Sequence, residues 1–285
     1  MQATYAHRSP PNRRRVLALL IGLLVVSGLA QPMARPAAAA DAPWLAKPGS
    51  ESSRIGQDTS VGSDLPAPNE PVAWLLRGER MHGATLVIRV TWGRWTHPDM
   101  PIVAHRLQLS RDGGPWTRTK VRSGTNQGAH YKIAFGSTYR FRLQAVDAAG
   151  DRSPWAVSSR TTRISRVDDR SASVVRVGAW HHRSDASAYR HTLTGSGQAG
   201  ASLARTFTGY GVGVVVPATH QQRNVDVYID GVYRTTLRLH AINPPRSRKV
   251  VYEARFSAGG THTIELRVRA GRRPEFRFDA FVILR

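Results

Sequence analysis

The chain has 285 residues, 41 Lys+Arg against 19 Asp+Glu, seven Trp and no cysteine. That length is enough for one large or two ordinary domains with a real core. The absence of cysteine excludes a disulfide scaffold, a thiolate metal site, a thiol nucleophile and lipid attachment through cysteine.

Residues 1–15 carry Arg8, Arg13, Arg14 and Arg15 and no acid, residues 16–30 (VLALLIGLLVVSGLA) are apolar, and PAAAADAP follows. A basic segment, an apolar run and an A-x-A site are the parts of a secretory signal peptide, cut between Ala40 and Asp41. The run is short for a membrane span of ~17–25 residues, so no transmembrane segment is expected after cleavage. The expected location is secreted or extracellular, with cell-wall association. The alternative is a tether formed by an uncleaved N-terminal anchor. After residue 40, 36 basic and 19 acidic residues remain, a net of +17 spread over both halves. Such a field attracts polyanions without selecting one; for an exported protein the expected partners are a glycan or an anionic envelope polymer, with no specific nucleic acid.

Residues 41–70 are rich in Pro, Gly, Ser and Asp and show no apolar period, which predicts a disordered linker. From Pro71 the pattern changes to short alternating runs. TLVIRVTW sets Leu86, Ile88, Val90 and Trp92 on one face; IVAHRLQLS sets Val103, His105, Leu107 and Leu109 together; TYRFRLQAVD aligns Tyr139, Phe141, Leu143 and Ala145. Period-two alternation predicts half-buried strands, and Asp112–Gly114 predicts a hairpin turn. Residues 71–165 read as one all-β unit.

SRVDDRSAS (165–173) reads as a polar boundary, after which residues 172–285 form a second all-β unit. ASLARTFTGYGVGVVVP reads as two strands with Gly209–Gly213 between them. Asp230–Gly231 between alternating runs is a strong hairpin signal. AGGTHTIELRV puts His262, Ile264, Leu266 and Val268 on one face after a Gly-Gly turn, and EFRFDAFVILR aligns Phe276, Phe278, Ala280, Val282 and Leu284.

The pieces PVAWLLRG, TLVIRVTWGRW, HRLQLSRDGGPW and YRFRLQAVDAAGDRSPWA resemble strands A, B, C and F–G of an immunoglobulin-like fibronectin type III sandwich. In that resemblance Tyr139 holds the tyrosine corner, whose hydroxyl bonds back to nearby backbone. The second unit is similar, in the order of its pieces from Trp180 to FDAFVIL, to the galactose-binding-like, carbohydrate-binding-module type of β-jelly-roll. That likeness implies sugar binding through loops or a sheet face. Such domains often hold a structural calcium, but no loop here supplies ligands for one, and no cofactor is expected.

Gly195-Ser-Gly197-Gln-Ala-Gly200 matches G-x-G-x-x-G, but a strand pattern follows where a helix is required, which predicts a plain turn. There is no P-loop, H-E-x-x-H or G-x-S-x-G. Neighbouring His181 and His182 face opposite sides of a strand, so no metal pair is expected. Asp226 and Asp230 would stand ~13 Å apart along a strand, beyond the reach of a glycosidase pair. The chain is therefore expected not to be an enzyme, but an extracellular binding protein in which the second unit recognises glycan and the first is a platform. The alternatives are a structural envelope component held by charge, or a hydrolase assembled from loops. The candidate ligand-binding residues are Trp180, His182, Arg183, Tyr189, Tyr210 and Tyr233: aromatic rings stack on sugar C–H faces while polar neighbours hold hydroxyls.

Overall fold

Alternation decides the first half. The computed structural model describes residues 65–217, 221–239 and 247–285; the expected signal peptide (1–40) and nearly all of the expected linker (41–70) lie outside them. Strands β1 (Val72–Leu75), β2 (Thr85–Thr91) and β5 (Gly128–Ala134) form one antiparallel sheet in the order β1-β2-β5. Strands β3 (Ile102–Arg111), β4 (Thr117–Ser123), β6 (Thr138–Asp147), β7 (Ala156–Val157) and β8 (Thr162–Asp168) belong to a second sheet. The inner faces meet as the alternation requires, with Leu86, Ile88, Val90 and Trp92 packed in one core with Phe141 and Leu143. Val103, by contrast, is exposed near the start of β3. The β3–β4 hairpin turns at Asp112 and Gly113, both at positive φ (51° and 75°). Tyr139 is buried, and its hydroxyl accepts the Ala134 N–H at 2.9 Å.

The second half contains β9 (Val175–Val177), β10 (His181–Ser184), a one-turn 3-10 helix (Tyr189–His191), β11 (Thr192–Ser196), β12 (Ser202–Val216), β13 (Val225–Ile229), β14 (Val232–Leu237), β15 (Lys249–Val268), β16 (Phe276–Phe278) and β17 (Ala280–Leu284). A three-stranded sheet β10-β11-β16 shares a core with a long sheet that runs β14-β13-β15-β12-β17. The architecture is all-β throughout, as expected. The G-x-G-x-x-G segment leaves β11 and enters strand β12, not a helix.

Three expectations are corrected. Gly209–Gly213 is not a turn: β12 runs unbroken through it, with a register shift between Gly209 and Gly211. These glycines allow backbone contact instead, since a Cβ on Gly209 would stand 2.3 Å from the Leu284 carbonyl oxygen and one on Gly211 2.9 Å from that of Ala254. Gly259–Gly260 likewise lies inside the 20-residue β15, where Gly259 makes room for the Tyr210 ring (3.0 Å from its absent Cβ). Glycine inside a strand pattern marks a bulge or close approach as readily as a turn.

The third correction concerns the polar stretch at 165–173. Strand β8 runs into it, pairing with β6 at Thr162 and with β17 from Ile164 to Asp168. The long sheet therefore continues β17-β8-β6-β3-β4 across both halves. Burial on both faces of β17 explains why: Ala280, Val282 and Leu284 lie in the first core, Phe281 and Ile283 in the second. Val215 and Val250 also enter the first core. Arginines reinforce the seam. Arg160 stands over Trp74 (4.6 Å) and Tyr210 (4.2 Å), and Arg166 over Phe135 (4.3 Å) and Tyr189 (4.4 Å), each pair a cation–π clamp.

Candidate functional site

The register of the small sheet assembles the site. His181 pairs with Gly195 across β10–β11, and Gly195 with Arg277 across β11–β16. Cross-strand partners share a face, so His181, Gly195 and Arg277 lie side by side. Arg183, two residues along β10, joins them. Buried Glu275, immediately before β16, turns its carboxylate onto this face. Its Oε2 takes His181 Nε2 at 2.7 Å, and its Oε1 takes Arg183 at 2.9 Å and Arg277 at 2.5 Å. Gly195 leaves the necessary space: a Cβ there would sit 3.0 Å from Glu275 Oε2 and 3.1 Å from His181 Nε2.

The loop at 221–223 pins this arrangement. Gln222 Oε1 accepts the Arg277 N–H at 2.9 Å, Gln222 Nε2 donates to the Pro217 carbonyl at 3.1 Å, and the Glu275 carbonyl accepts the Arg223 N–H at 2.8 Å. Trp180 precedes β10, half-buried; its indole N–H donates to the Val177 carbonyl at 3.0 Å and its ring meets buried Phe276 edge-on, 6.4 Å between centroids. The Trp180 ring thus packs toward the second core, and the exposed face is a fixed polar set of charge-assisted donors, with the His181 and Arg183 side chains 49% and 40% exposed. Such donors hold hydroxyl or acyl oxygens, and a carboxylate-oriented imidazole can transfer protons.

The six expected ligand residues are dispersed. Trp180, His182 and Arg183 are near neighbours in sequence, but only Arg183 reaches Glu275: the Trp180 ring packs on Phe276, and His182 Nδ1 meets Thr194 Oγ1 at 2.8 Å on the other face. Tyr189 and Tyr210 are half-buried at the seam, each with an arginine over its ring. Exposed Tyr233 lies on the edge strand β14, edge-on to Tyr228 (5.8 Å), with its hydroxyl 2.9 Å from Thr236 Oγ1. His181, Gly195, Glu275 and Arg277 were not anticipated. Only tertiary pairing brings Glu275 to His181, 94 positions apart in sequence, and RRPEFRF reads locally as turn and strand.

A second polar centre lies beneath, around buried Asp169 and Asp279. Asp169 accepts Thr192 Oγ1 (2.5 Å) and Thr194 Oγ1 (2.7 Å), and its carbonyl accepts Arg176. Asp279 Oδ1 accepts the Tyr189 N–H at 2.8 Å, while buried Oδ2 has no hydrogen-bond partner. Burial, first of all, pushes the Asp279 carboxyl up to about 7; the Tyr189 N–H opposes this and neighbouring Asp169 adds to it. Among the described residues no cluster of three or more His, Cys, Asp or Glu has the form of a metal site.

No protein-family model matches the chain. A curated relative, the A type blood N-acetyl-α-D-galactosamine deacetylase of Flavonifractor plautii, is 33% identical over 100 residues, which are 35% of this chain and 13% of the relative. Among solved structures, a Paenibacillus xanthan lyase matches with a TM-score of 0.36 at 19% identity, covering 76% of this chain and 25% of the lyase. The exo-β-1,3-galactanase of Phanerochaete chrysosporium matches with a TM-score of 0.32 at 14% identity, covering 73% of this chain and 56% of that one. The chain spans less than two thirds of the length of each of these proteins. The expectation that the chain is not an enzyme is contradicted by its match to part of a relative named as a deacetylase.

Proposed function

We propose that this chain is exported and that its second half recognises a glycan through the face built by His181, Arg183, Glu275 and Arg277, in the service of carbohydrate-active enzyme chemistry. The observation that carries the reading is the buried Glu275 carboxylate fixing two arginines and an imidazole on a partly exposed face. A sugar offers hydroxyl or acyl oxygens to Arg183 and His181, whose geometry is set before any ligand arrives. In this reading the first half serves as a platform, since the sheet it shares with the second half leaves no free joint between them.

The test is a panel of immobilised glycans, neutral and acidic, that includes terminal N-acetyl-α-D-galactosamine, with acetate release followed in parallel. Arg183→Ala is expected to weaken retention roughly tenfold or more, the loss of charged hydrogen bonds worth about 1.5–3 kcal/mol. Unchanged retention by a folded Arg183→Ala protein would refute the site; failure of the wild-type chain to bind any glycan would refute the function.

A further inference from the structure

A cleft of about 450 Å³ opens where β8, the 3-10 turn and β12 meet, lined by none of His181, Arg183, Glu275 and Arg277. Arg166, Arg170, Arg190, Arg205 and Arg285 line it, and Asp168 is the one acid among its lining residues. We propose that this cleft binds an acidic group of a glycan, a uronate carboxylate or a sulfate ester; the proposal rests on the glycan reading above and adds to it a second, charge-selective site.

Five guanidinium groups around one carboxylate leave an excess of positive charge in a concave space, where low-dielectric walls strengthen attraction for anions. The volume lies in the range of small-ligand sites. Arg205 is the most telling member. It is half-buried, its Nη1 donates to the Ser173 carbonyl at 3.0 Å, and its buried Nε has no partner. Burial and the neighbouring charge of Arg285 hold its guanidinium below the ordinary arginine range, the strain expected of a cation awaiting a counter-ion. The buried Ser165 hydroxyl in the same wall also lacks a partner. Arg166, by contrast, is spent on the seam, between two rings and on the Gly83 carbonyl (2.8 Å). Burial and neighbouring Asp169 hold the Asp168 carboxyl above the ordinary carboxylate range, against the opposing charge of Arg190; its charge offsets one arginine, and those that remain keep the lining positive. Planar guanidinium forks match carboxylate and sulfate oxygens in a way that lysine cannot. Nucleic acid would meet the same charges but is the lesser fit to a glycan-related chain, and it becomes an arm of the test.

Full-length protein is assayed for binding to polygalacturonate, dextran sulfate, neutral dextran and a DNA oligonucleotide at about 0.15 M and 0.5 M salt, straddling the regime where exposed charges are screened. R205Q/R285Q is compared with R234Q/R272Q, which removes the same charge from exposed positions elsewhere. The cleft pair is expected to lose at least tenfold in affinity for an acidic glycan, the control pair less than twofold. Polygalacturonate and dextran sulfate separate the carboxylate from the sulfate ester. Should R205Q/R285Q melt early, R170Q/R190Q, at exposed positions, carries the same comparison. Equal losses in cleft and control pairs, or DNA bound as well as acidic glycan, would overturn the proposal in favour of a diffuse polyanion field. Binding to neutral glycan alone, indifferent to the cleft pair, would overturn it while leaving the Glu275-face reading intact. Binding to no glycan would remove both.

Discussion

Replacing Asp279 with asparagine should stabilise the protein at neutral and alkaline pH. The carboxyl is fully buried, with one oxygen on the Tyr189 N–H and the other without a partner, and it keeps its proton up to pH about 7 against an ordinary value of 3.8. The native state therefore holds a proton that the unfolded chain releases across that window. Stability from this group is full below pH 3.8, falls as pH rises, and is lost above about 7. At 1.36 kcal/mol per tenfold in proton affinity the whole span is worth about 4 kcal/mol. The asparagine side chain would keep an oxygen for the Tyr189 N–H and would not titrate. Urea unfolding of both proteins from about pH 4 to about 8.5 should show equal stability at the acid end. The variant should lead by about 4 kcal/mol at the alkaline end, a midpoint difference of roughly 1.3 M for a urea slope of about 3 kcal/mol per M. Curves that stay parallel across the range would show that Asp279 does not hold the proton, and the account of the buried acid pair would fail.

Further outcomes follow from the same packing. Tyr139→Phe removes the acceptor of the Ala134 N–H and should cost about 1–3 kcal/mol, visible as a melting point lower by roughly 3–10 °C; an unchanged melting point would mean that water replaces the hydroxyl. Gly195→Ala should push the Glu275 carboxylate and His181 ring apart and lower glycan retention at least fivefold while leaving circular dichroism unchanged; full retention would show that the cluster does not bind. A chain ending at Asp168 loses Ala280, Val282 and Leu284 from the first core and should show no cooperative melt, because burying such side chains is worth ~1.5–3 kcal/mol for each of the larger ones. A sharp transition in that fragment would show that the first half folds alone.

Much of the fold was legible because local pattern and burial agree. Leu86, Ile88, Val90 and Trp92 are buried as their alternation predicts, as are Tyr139, Phe141, Leu143 and Ala145. Asp230 and Gly231 adopt the positive φ (51° and 76°) that their hairpin demands. Alternation misled where a strand has two cores to serve. On β17 the set from Ala280 to Leu284 was legible, but Phe281 and Ile283 are fully buried too, and no period marks a strand packed on both sides. Glycines inside β12 and β15 were read as turns because absent side chains look alike whether the chain reverses or another backbone approaches. Less of the candidate site was legible. Of the residues that local reading singled out, Arg183 lies on the polar face and Trp180 packs on Phe276; Glu275 reaches His181 only through the β11–β16 register, and seam arginines cover Tyr189 and Tyr210 in a way no local window shows.

The double burial of β17 also sets an order of events. Domains ordinarily fold one after another as a chain is made, and the first half alone would be expected to finish early. Here its core lacks Ala280, Val282 and Leu284, and the outer edge of β8 lacks its partner, until the stretch 280–284 has arrived. Until then the first half is left with an open strand edge at β8 and an unfilled core, which only β17, between β8 and β12, completes.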